Sequence, residues 1–355
     1  MRPLPKICLI LPYFGKLPSY WDGFIDSCAD NKAIDFLIVT DCITADALST
    51  PSNICIKHMT WPQMQAKLKS GLAQLGYSKV CISWPYKLCD YKPTYGYLFK
   101  EDLRGYDYWG YIDCDLVFGD IGKFLQKIDL GQYDRVFRYG HLSIYRNRED
   151  INLLFTKATG KEINFRNYAD SAFIHNFDEN GMNRVFVHHG YQFLDCSFDA
   201  TFQIYDYAYR WHNRNQPQRG ELFVKEADGS TTVYTEKDGG SIECTEVCYI
   251  HYMTKKHVHI DKDCKRPYAI THNGTICLEN TSPEVILNAI KQYTKCTEEQ
   301  QSAFITSEIR RLRKGTIKKI ILSLRYKGLY TFAELCTRFK SWYRHRKSYI
   351  DKHRQ

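Results

Sequence analysis

Short apolar runs alternate with helix-patterned segments over the first 120 residues, and this alternation constrains the fold more than any other feature of the chain. Runs 6–14, 35–41 and 53–59 have the composition of buried strands. Segments 19–31 and 64–76 place apolar residues at helical spacing. Strands that alternate with helices indicate a parallel sheet covered on both faces. In such sheets, ligands bind at the carboxyl ends of the strands.

The next apolar run contains two carboxylates. Residues 105–121 read GYDYWGYIDCDLVFGDI, so Asp113 and Asp115 have aromatic and aliphatic neighbours on both sides. In one continuous strand they would share a face, and two unpaired buried carboxylates would be strongly destabilising, so we expect a positive partner nearby. Carboxylate oxygens are also the ligands that Mg²⁺ and Mn²⁺ prefer. The pair therefore indicates a metal site, and the alternative is a solvated loop.

The rest of the chain alternates between strand pairs and helices. A strand pair is expected over 134–147 around Gly140, followed by a helical and loop-rich stretch over 151–185. Asp-Gly and Asn-Gly turns predict β-hairpins over 221–236 and 268–280. A further strand is expected over 241–253, and a Ser-capped helix over 282–293.

The cysteine pattern argues against a disulfide framework. The 14 cysteines are scattered, no CxxC pair occurs, and Cys244 and Cys248 lack a second pair at zinc-finger spacing. We expect cysteine to serve as a small hydrophobe in a reduced, cytoplasmic setting. The first apolar run is too short for a secretory signal, and no apolar run reaches the 18 residues that would predict a membrane-spanning helix.

The basic character of the chain belongs to its C-terminal end. The net charge is +9, yet residues 310–355 contain 15 Lys or Arg and two acids. Cationic and apolar residues alternate there at helical spacing, which is typical of an amphipathic helix on an anionic lipid surface. The alternative is a helical bundle that docks on the rest of the protein. No motif in the tail supports nucleic-acid binding.

Five segments carry a family resemblance when they are taken together: LPYFG (11–15), LCDYKPTYGYLF (88–99), the 105–121 run, GHLSIYRN (140–147) and IHYMTKK (250–256). They closely resemble a bacterial family of capsule or lipopolysaccharide glycosyltransferases, over about residues 6–260. The resemblance implies an α/β fold of the GT-A type. This is a Rossmann-type mixed sheet flanked by helices, here with added β-hairpins and a basic helical C-terminal tail. Together with the basic composition of the C-terminal end, it predicts a domain over 1–300 and a basic tail over 301–355. Within the domain, 1–130 would bind nucleotide and 131–300 would bind acceptor.

The resemblance also assigns a metal site. Asp113 and Asp115 would form the DxD motif that holds Mn²⁺ or Mg²⁺, and His251 would complete the metal shell. An imidazole beside carboxylates is a reasonable Mn²⁺ ligand. The alternative for His251 is a hydrogen-bonded core histidine.

Donor-binding residues follow from the same comparison. Tyr13 and Asp41 would face the nucleobase, and Asp90 and Lys92 would contact the base and phosphate. Arg138, Gly140 and His141 would line the donor sugar. Lys255 and Lys256 would reach the diphosphate. Each has a simpler alternative. Asp41 has the position of a helix cap, Tyr13 of a core residue and His141 of a structural histidine. Asp90 and Lys92 could form a local ion pair, and the two late lysines a solvated turn.

A proton acceptor is harder to locate by sequence. Inverting glycosyl transfer needs a carboxylate to deprotonate the acceptor hydroxyl. Asp178 and Glu179 lie in the acceptor half and are the candidates. Their alternative role is to interact with a helix N-terminus.

The sequence leaves three hypotheses about function open. The first is a metal-dependent glycosyltransferase that uses a nucleotide-diphosphate donor, with UDP-sugars favoured. Its acceptor would be a glycan or lipid-linked glycan precursor on the inner face of the cell membrane. The second is a sugar nucleotidyltransferase, which predicts a glycine-rich loop after the first strand, where LPYFGKLPSYW has few glycines. The third is a non-catalytic glycan- or nucleotide-binding protein.

Overall fold

A computed structural model describes residues 3–42, 51–160, 164–172, 174–196, 199–202, 220–252, 263–271 and 274–293. The predicted basic tail lies outside these residues. The strands are β1 Ile7–Tyr13, β2 Asp35–Thr40, β3 Ile54–His58, β4 Tyr108–Ile112, β5 Leu116–Phe118, β6 Arg135–Val136, β7 Leu142–Arg146, β8 Phe193–Leu194, β9 Asp199–Phe202, β10 Glu221–Lys225, β11 Thr231–Glu236, β12 Ile242–Val247, β13 Tyr249–Tyr252, β14 Tyr268–Thr271 and β15 Gly274–Cys277.

The α-helices of the described residues are more numerous than the sequence pattern predicts. They are α1 Trp21–Asp30, α2 Trp61–Gln74, α3 Tyr95–Leu98, α4 Ile121–Leu125, α5 Glu149–Asn152, α6 Phe165–Asp170, α7 Met182–His188 and α8 Pro283–Tyr293. A 3₁₀ helix, Pro85–Thr94, precedes α3, and a π-helical turn, Phe177–Gly181, precedes α7. Within the described part of the chain, no helix is both long enough and apolar enough to cross a membrane.

The main sheet has seven strands among the described residues, in the order β3-β2-β1-β4-β7-β6-β8. Strands β3, β2, β1 and β4 are mutually parallel, whereas β7 runs antiparallel to both β4 and β6. The sheet is therefore mixed. This confirms an α/β fold with a mixed sheet flanked by helices.

Strand β1 shows why both faces of this sheet are covered. Ile7, Leu9 and Leu11 pack into one hydrophobic cluster with residues of α1, while Cys8 and Ile10 pack into a second cluster with residues of α2. Alternate side chains of a strand point to opposite faces. A continuous apolar run such as ICLIL therefore indicates a strand that is buried on both sides.

Helix α2 begins at Trp61, three residues earlier than the apolar pattern predicts. Thr60 is its N-cap: the Thr60 side chain accepts from the backbone N–H of Gln63, and the Gln63 side chain accepts from the backbone N–H of Thr60. This reciprocal capping satisfies two donors at the helix start. Pro62 is compatible with a first-turn position, where its missing N–H costs no hydrogen bond.

Two of the long predicted strands are each divided between sheets. The run that contains the two aspartates forms β4 in the main sheet and β5 in a three-stranded sheet with the order β5-β13-β9. The strand expected over 241–253 forms β12 and β13, which also belong to different sheets. Both expectations of one continuous strand were wrong, because pattern alone does not show where a strand changes its partner.

A third sheet contains the two predicted hairpins. Its order is β12-β11-β10-β14-β15, and helix α8 packs against it around Leu222, Val224 and Ile286. The hairpins over 221–236 and 268–280 are thereby confirmed. A disulfide joins Cys264 to Cys277 beside the second hairpin. The expectation that the cysteines form no disulfide was wrong at this pair, which the fold, not a spacing motif, brings together.

Candidate active site

The strand order switches at β1 and β4, so we expect a ligand-binding crevice at the carboxyl ends of these two strands. The chain adds β2 and β3 on one side of β1 and then returns to place β4 on the other side. Open α/β sheets bind ligands at such switch points, where the connections from neighbouring strands diverge. Tyr13 ends β1, and Asp113 directly follows β4. Two predicted site residues therefore lie on the two sides of the crevice.

The two aspartates occupy a bend between sheets. The backbone N–H of Asp113 donates to the carbonyl oxygen of His141 at 3.0 Å, which fixes the start of the bend. The side chain of Asp113 is 30% exposed, whereas that of Asp115 is 4% exposed. Because the chain bends here, the two carboxylates have different neighbours and the predicted arrangement on one strand face does not form.

Lys92 supplies the positive charge that the two aspartates predict. Its Nζ lies 2.7 Å from Asp113 Oδ1 and 3.5 Å from Asp178 Oδ2, and it donates to the carbonyl oxygen of Gly140 at 2.7 Å. Burial alone would lower the pKa of Lys92, but the attraction of Asp113 and Asp178 outweighs it and holds the pKa well above its usual value. The ammonium is therefore charged and buried between the elements that carry these carboxylates.

Asp178 and Glu179 converge on Gly140. The Gly140 N–H donates to Glu179 Oε1 at 2.8 Å. A Cβ at position 140 would collide with the carboxylate of Asp178, so this close approach requires glycine. Burial raises the pKa of Asp178 to about 7, and the attraction of Lys92 offsets this only in part. Asp178 is consequently a carboxyl group that titrates near neutral pH.

Two non-glycine residues beside this cluster have left-handed backbone conformations. Phe137 has φ 67° in the loop that leads to Gly140, and Asn176 has φ 52° immediately before the π-helical turn Phe177–Gly181. Such conformations cost about 1–3 kcal/mol each and cluster at functional sites, where the surrounding structure holds them. Single π-helical turns are also frequent at functional sites.

Asp90 anchors the segment that leads to Asp178. Its carboxylate lies 2.6 Å from Lys87 Nζ and accepts from the backbone N–H groups of His175 and Phe177, both at 3.0 Å. The Asp90 side chain is fully buried. Asp90 therefore faces the interior and holds this loop, with Lys87 and not Lys92 as its ion-pair partner, and its contact with a nucleotide stays a prediction.

The imidazole ring of His251 lies beside Asp115 and packs on the ring of His141. The ring centroids of His141 and His251 are 4.1 Å apart, and His251 Nε2 lies 3.8 Å from Asp115 Oδ1. Burial and the neighbouring His251 lower the pKa of His141 to about 2. His141 is therefore a neutral imidazole, and the predicted alternative of a buried histidine describes its environment.

Asp115 and His251 have side chains that could supply two ligands to a divalent cation. Their 3.8 Å separation is compatible with two ligands that each lie about 2.1 Å from one ion. His251 Nδ1 is buried and has no hydrogen-bond partner in the described part of the chain. Asp113 instead contacts Lys92, and no group of three or more His, Cys, Asp or Glu in the described residues could hold a metal by itself. Mg²⁺ sites often complete such a partial set with substrate phosphates and water.

Three of the remaining predicted residues, Tyr13, Asp41 and Arg138, are at least partly exposed. Tyr13 is half-buried, donates to the Lys16 carbonyl oxygen at 2.7 Å and packs its ring on Trp21. Asp41 is exposed and accepts from the Trp61 backbone N–H at 3.3 Å, so its alternative role at a helix N-terminus is realised. Arg138 is half-exposed and bonded to Asp195. Lys255 and Lys256 lie outside the described residues.

Arg135 supports the site but has no recognisable signal in the sequence. It is fully buried, and its Nη2 donates to Ser143 Oγ at 3.0 Å and to the Asp178 carbonyl oxygen at 3.4 Å. Its guanidinium also lies over the Tyr145 ring, 5.0 Å from the centroid. Because Asp178 is 43 residues away in sequence, only the fold could show this contact.

Comparison with solved structures gives distant likenesses. The galactosyltransferase LgtC, solved with donor and acceptor sugar analogues, is 10% identical with a TM-score of 0.38, covering 83% of this chain and 99% of LgtC. The glycosyltransferase GlyE of Streptococcus pneumoniae TIGR4 is 12% identical with a TM-score of 0.33, and the match covers 59% of this chain and 48% of GlyE. Mouse xyloside xylosyltransferase 1 is 7% identical with a TM-score of 0.32, and the match covers 59% of this chain and 91% of that enzyme. These values are too low for us to transfer an activity.

Sequence comparison identifies the family without assigning an activity. No curated protein matches the chain. The profile of a family of unknown function, DUF6625, matches residues 9–279, which is more than half of the chain and includes the bend and the elements around it. The protein is therefore a member of the DUF6625 family.

Proposed function

We propose that this protein is a metal-dependent glycosyltransferase. It would move a sugar from a nucleotide-diphosphate donor, with UDP-sugars favoured, to a hydroxyl group of a cell-surface glycan precursor. The observation that carries the proposal is the bend at Asp113–Asp115. The bend lies at the switch point of an α/β sheet. On one side of it Asp113 pairs with the Lys92 ammonium, and on the other side the buried Asp115 lies beside the His251 imidazole.

The charges around the bend suit a diphosphate. Asp113 and Lys92 neutralise one another at 2.7 Å, so an incoming phosphate meets a charge-balanced pair and not two bare carboxylates. Asp115 and His251 would hold Mn²⁺ or Mg²⁺. When bound, the ion would neutralise negative charge on the donor diphosphate. Tyr13 and Asp41, on the β1 side of the crevice, are proposed to contact the nucleobase.

Asp178 is the proposed proton acceptor for the acceptor hydroxyl. A general base works best when its pKa is near the working pH, and burial raises the pKa of Asp178 to about 7. Glu179 instead uses Oε1 to bind the Gly140 N–H, which positions the loop against Asp178. We therefore assign proton transfer to Asp178 and positioning to Glu179.

The acceptor and the cellular setting are proposed from the sequence pattern. A glycan or lipid-linked glycan at the inner face of the cell membrane fits the basic amphipathic character of residues 310–355. Each basic residue near an anionic surface adds about 1 kcal/mol of attraction. Truncation after residue 305 should then release the protein from anionic liposomes. Unchanged sedimentation with liposomes would contradict the membrane role.

A donor-hydrolysis assay tests the catalytic proposal. Purified protein is incubated with a panel of UDP- and GDP-sugars, without acceptor, in Mn²⁺, Mg²⁺ or EDTA. We expect slow release of UDP or GDP that requires metal and that Asp115→Asn abolishes. Glu101→Gln, which removes an exposed carboxylate from an Arg104 pair, is the matched control and should retain turnover.

Two outcomes would redirect the proposal. Nucleotide binding without turnover on any donor or acceptor would favour a non-catalytic binding protein. Full metal-dependent activity in a folded Asp115→Asn variant would remove the metal assignment. Thermal denaturation of each variant establishes that it is folded before its activity is interpreted.

A further inference from the structure

An exposed aromatic ring lies next to the Gly140 contact and has no role in the proposed chemistry. Tyr139 is 38% exposed and is one of three large apolar or aromatic side chains that are exposed among the described residues, with Tyr86 and Val187. Its ring stacks on the ring of His141 with centroids 5.2 Å apart and an interplanar angle of 15°. One face of the Tyr139 ring is therefore packed against the His141 ring.

The backbone under Tyr139 is held from several directions. Ser143 Oγ donates to the Tyr139 carbonyl oxygen at 3.1 Å. The next residue, Gly140, donates its N–H to Glu179 and accepts from Lys92 through its carbonyl. A ring on so constrained a backbone loses little conformational freedom when it binds a ligand, which favours its use in recognition.

The strand order indicates which substrate this ring can meet. Tyr139 lies in the connection between β6 and β7, and β7 pairs with β4 on the side opposite β1. A nucleotide in the crevice between β1 and β4 would lie on the β1 side. Tyr139 instead directly precedes Gly140, the residue that packs against the carboxylate of Asp178, the proposed proton acceptor.

We propose that Tyr139 is a stacking platform for the acceptor, and that its exposed face contacts the apolar C–H face of a terminal pyranose ring. This inference rests on the proposed transferase function. The Arg138–Asp195 pair, with Nη1 and Oδ2 3.0 Å apart, adjoins Tyr139 in sequence and offers both a donor and an acceptor to the hydroxyls of that sugar. Because this pair is charge-balanced, the site suits a neutral pyranose.

The effect of removing the ring follows from the size of aromatic contacts. Loss of the apolar area and of the stacking geometry at a partly exposed site should weaken acceptor binding about 10-fold. Phenylalanine keeps the ring face, so Tyr139→Phe should retain binding within about 2-fold.

Saturation-transfer NMR tests the platform directly and does not require turnover. The probes are the methyl β-glycosides of glucose, galactose, mannose and N-acetylglucosamine, measured with full-length protein in the presence of UDP and the diamagnetic ion Mg²⁺. At least one should receive saturation mainly on the ring protons of one face. Tyr139→Ala should reduce that signal about 10-fold, while Tyr139→Phe retains it. Tyr86→Ala removes another exposed ring and is the matched control, with no expected loss.

The platform fails if none of the four glycosides gives a signal with the wild type, or if Tyr139→Ala binds as well as the wild type. It also fails if Tyr139→Ala weakens UDP binding as much as glycoside binding, because the ring would then contact the donor. Donor hydrolysis on the same samples separates the two proposals. Hydrolysis with an unaltered glycoside signal in Tyr139→Ala retains the transferase and removes the platform. Ring-dependent glycoside binding without hydrolysis of any donor retains the platform and removes the transferase.

Discussion

Replacing Asp178 by asparagine should make the protein more stable and less active. Asp178 is 3% exposed. Lys92 Nζ lies 3.5 Å from Asp178 Oδ2 but only 2.7 Å from Asp113 Oδ1, so it pairs more closely with Asp113. Burial therefore dominates and raises the pKa of Asp178 from 3.8 to about 7. Asparagine has nearly the same shape as the protonated acid and carries no charge at any pH, so it removes the cost of ionising this site.

The pH dependence follows from the direction of the shift. Because the folded pKa lies above the unfolded pKa, the stability associated with the protonated form is complete below pH 4 and is lost as pH rises towards 7. A shift of this size corresponds to at most about 4 kcal/mol when the loss is complete. Between pH 5 and pH 8 the wild type should lose about 2–3 kcal/mol relative to Asp178→Asn.

Urea unfolding of both proteins at pH 5 and pH 8 measures this difference. Glu101→Gln, which also removes one carboxylate but at an exposed position, should follow the wild type at both values. The reasoning is refuted if Asp178→Asn and the wild type differ by the same amount at the two pH values. Donor-to-acceptor transfer should fall about 100-fold or more in Asp178→Asn if this group accepts the proton.

Three further predictions probe the same cluster and the nucleotide side of the crevice. Lys92→Met should lower the free energy of unfolding by about 3–5 kcal/mol, because it leaves Asp113 and Asp178 without their shared cation; adding Asp113→Asn should recover part of this in urea unfolding, and no recovery would contradict the pairing. Gly140→Ala should destabilise by about 1–3 kcal/mol, because its Cβ would collide with the Asp178 carboxylate; an unchanged urea midpoint would contradict the close approach. Asp41→Ala should reduce the thermal stabilisation by UDP in Mn²⁺ while altering the unliganded melting temperature little, and an unchanged UDP effect would limit Asp41 to its helix-terminus contact.

Local sequence pattern was sufficient to predict the first strands and helices of the main sheet. The apolar runs of β1 and β2 and the helical spacing in α1 and α2 are local features, so each could be predicted from a window of the chain. The same pattern located Asp113 in an apolar run but did not show that the strand ends at Ile112. Hairpins β10–β11 and β14–β15 follow from their turn residues for the same reason.

Contacts between distant segments could not be predicted in this way. The sequence indicates that Asp113 needs a positive neighbour, but Lys92 is one of many basic residues that could supply it. Asp90 shows the converse, since a polar residue in a family-like motif proved to be a buried anchor for residues 175–177. The contact of Gly140 with Glu179 spans 39 residues, and Glu179 follows three positions after the left-handed Asn176.

By itself, the sequence determined the α/β class, the presence of two carboxylates within an apolar run and the need to balance their charge. These properties follow from hydrophobic periodicity and from the cost of burying unpaired charge, which act over a few residues. Only the tertiary structure decided that the chain bends between Asp113 and Asp115, giving Lys92 to the first and His251 to the second. Which partner a buried charge obtains depends on how strands from distant parts of the chain are paired, because electrostatic attraction and burial act through space and not along the sequence.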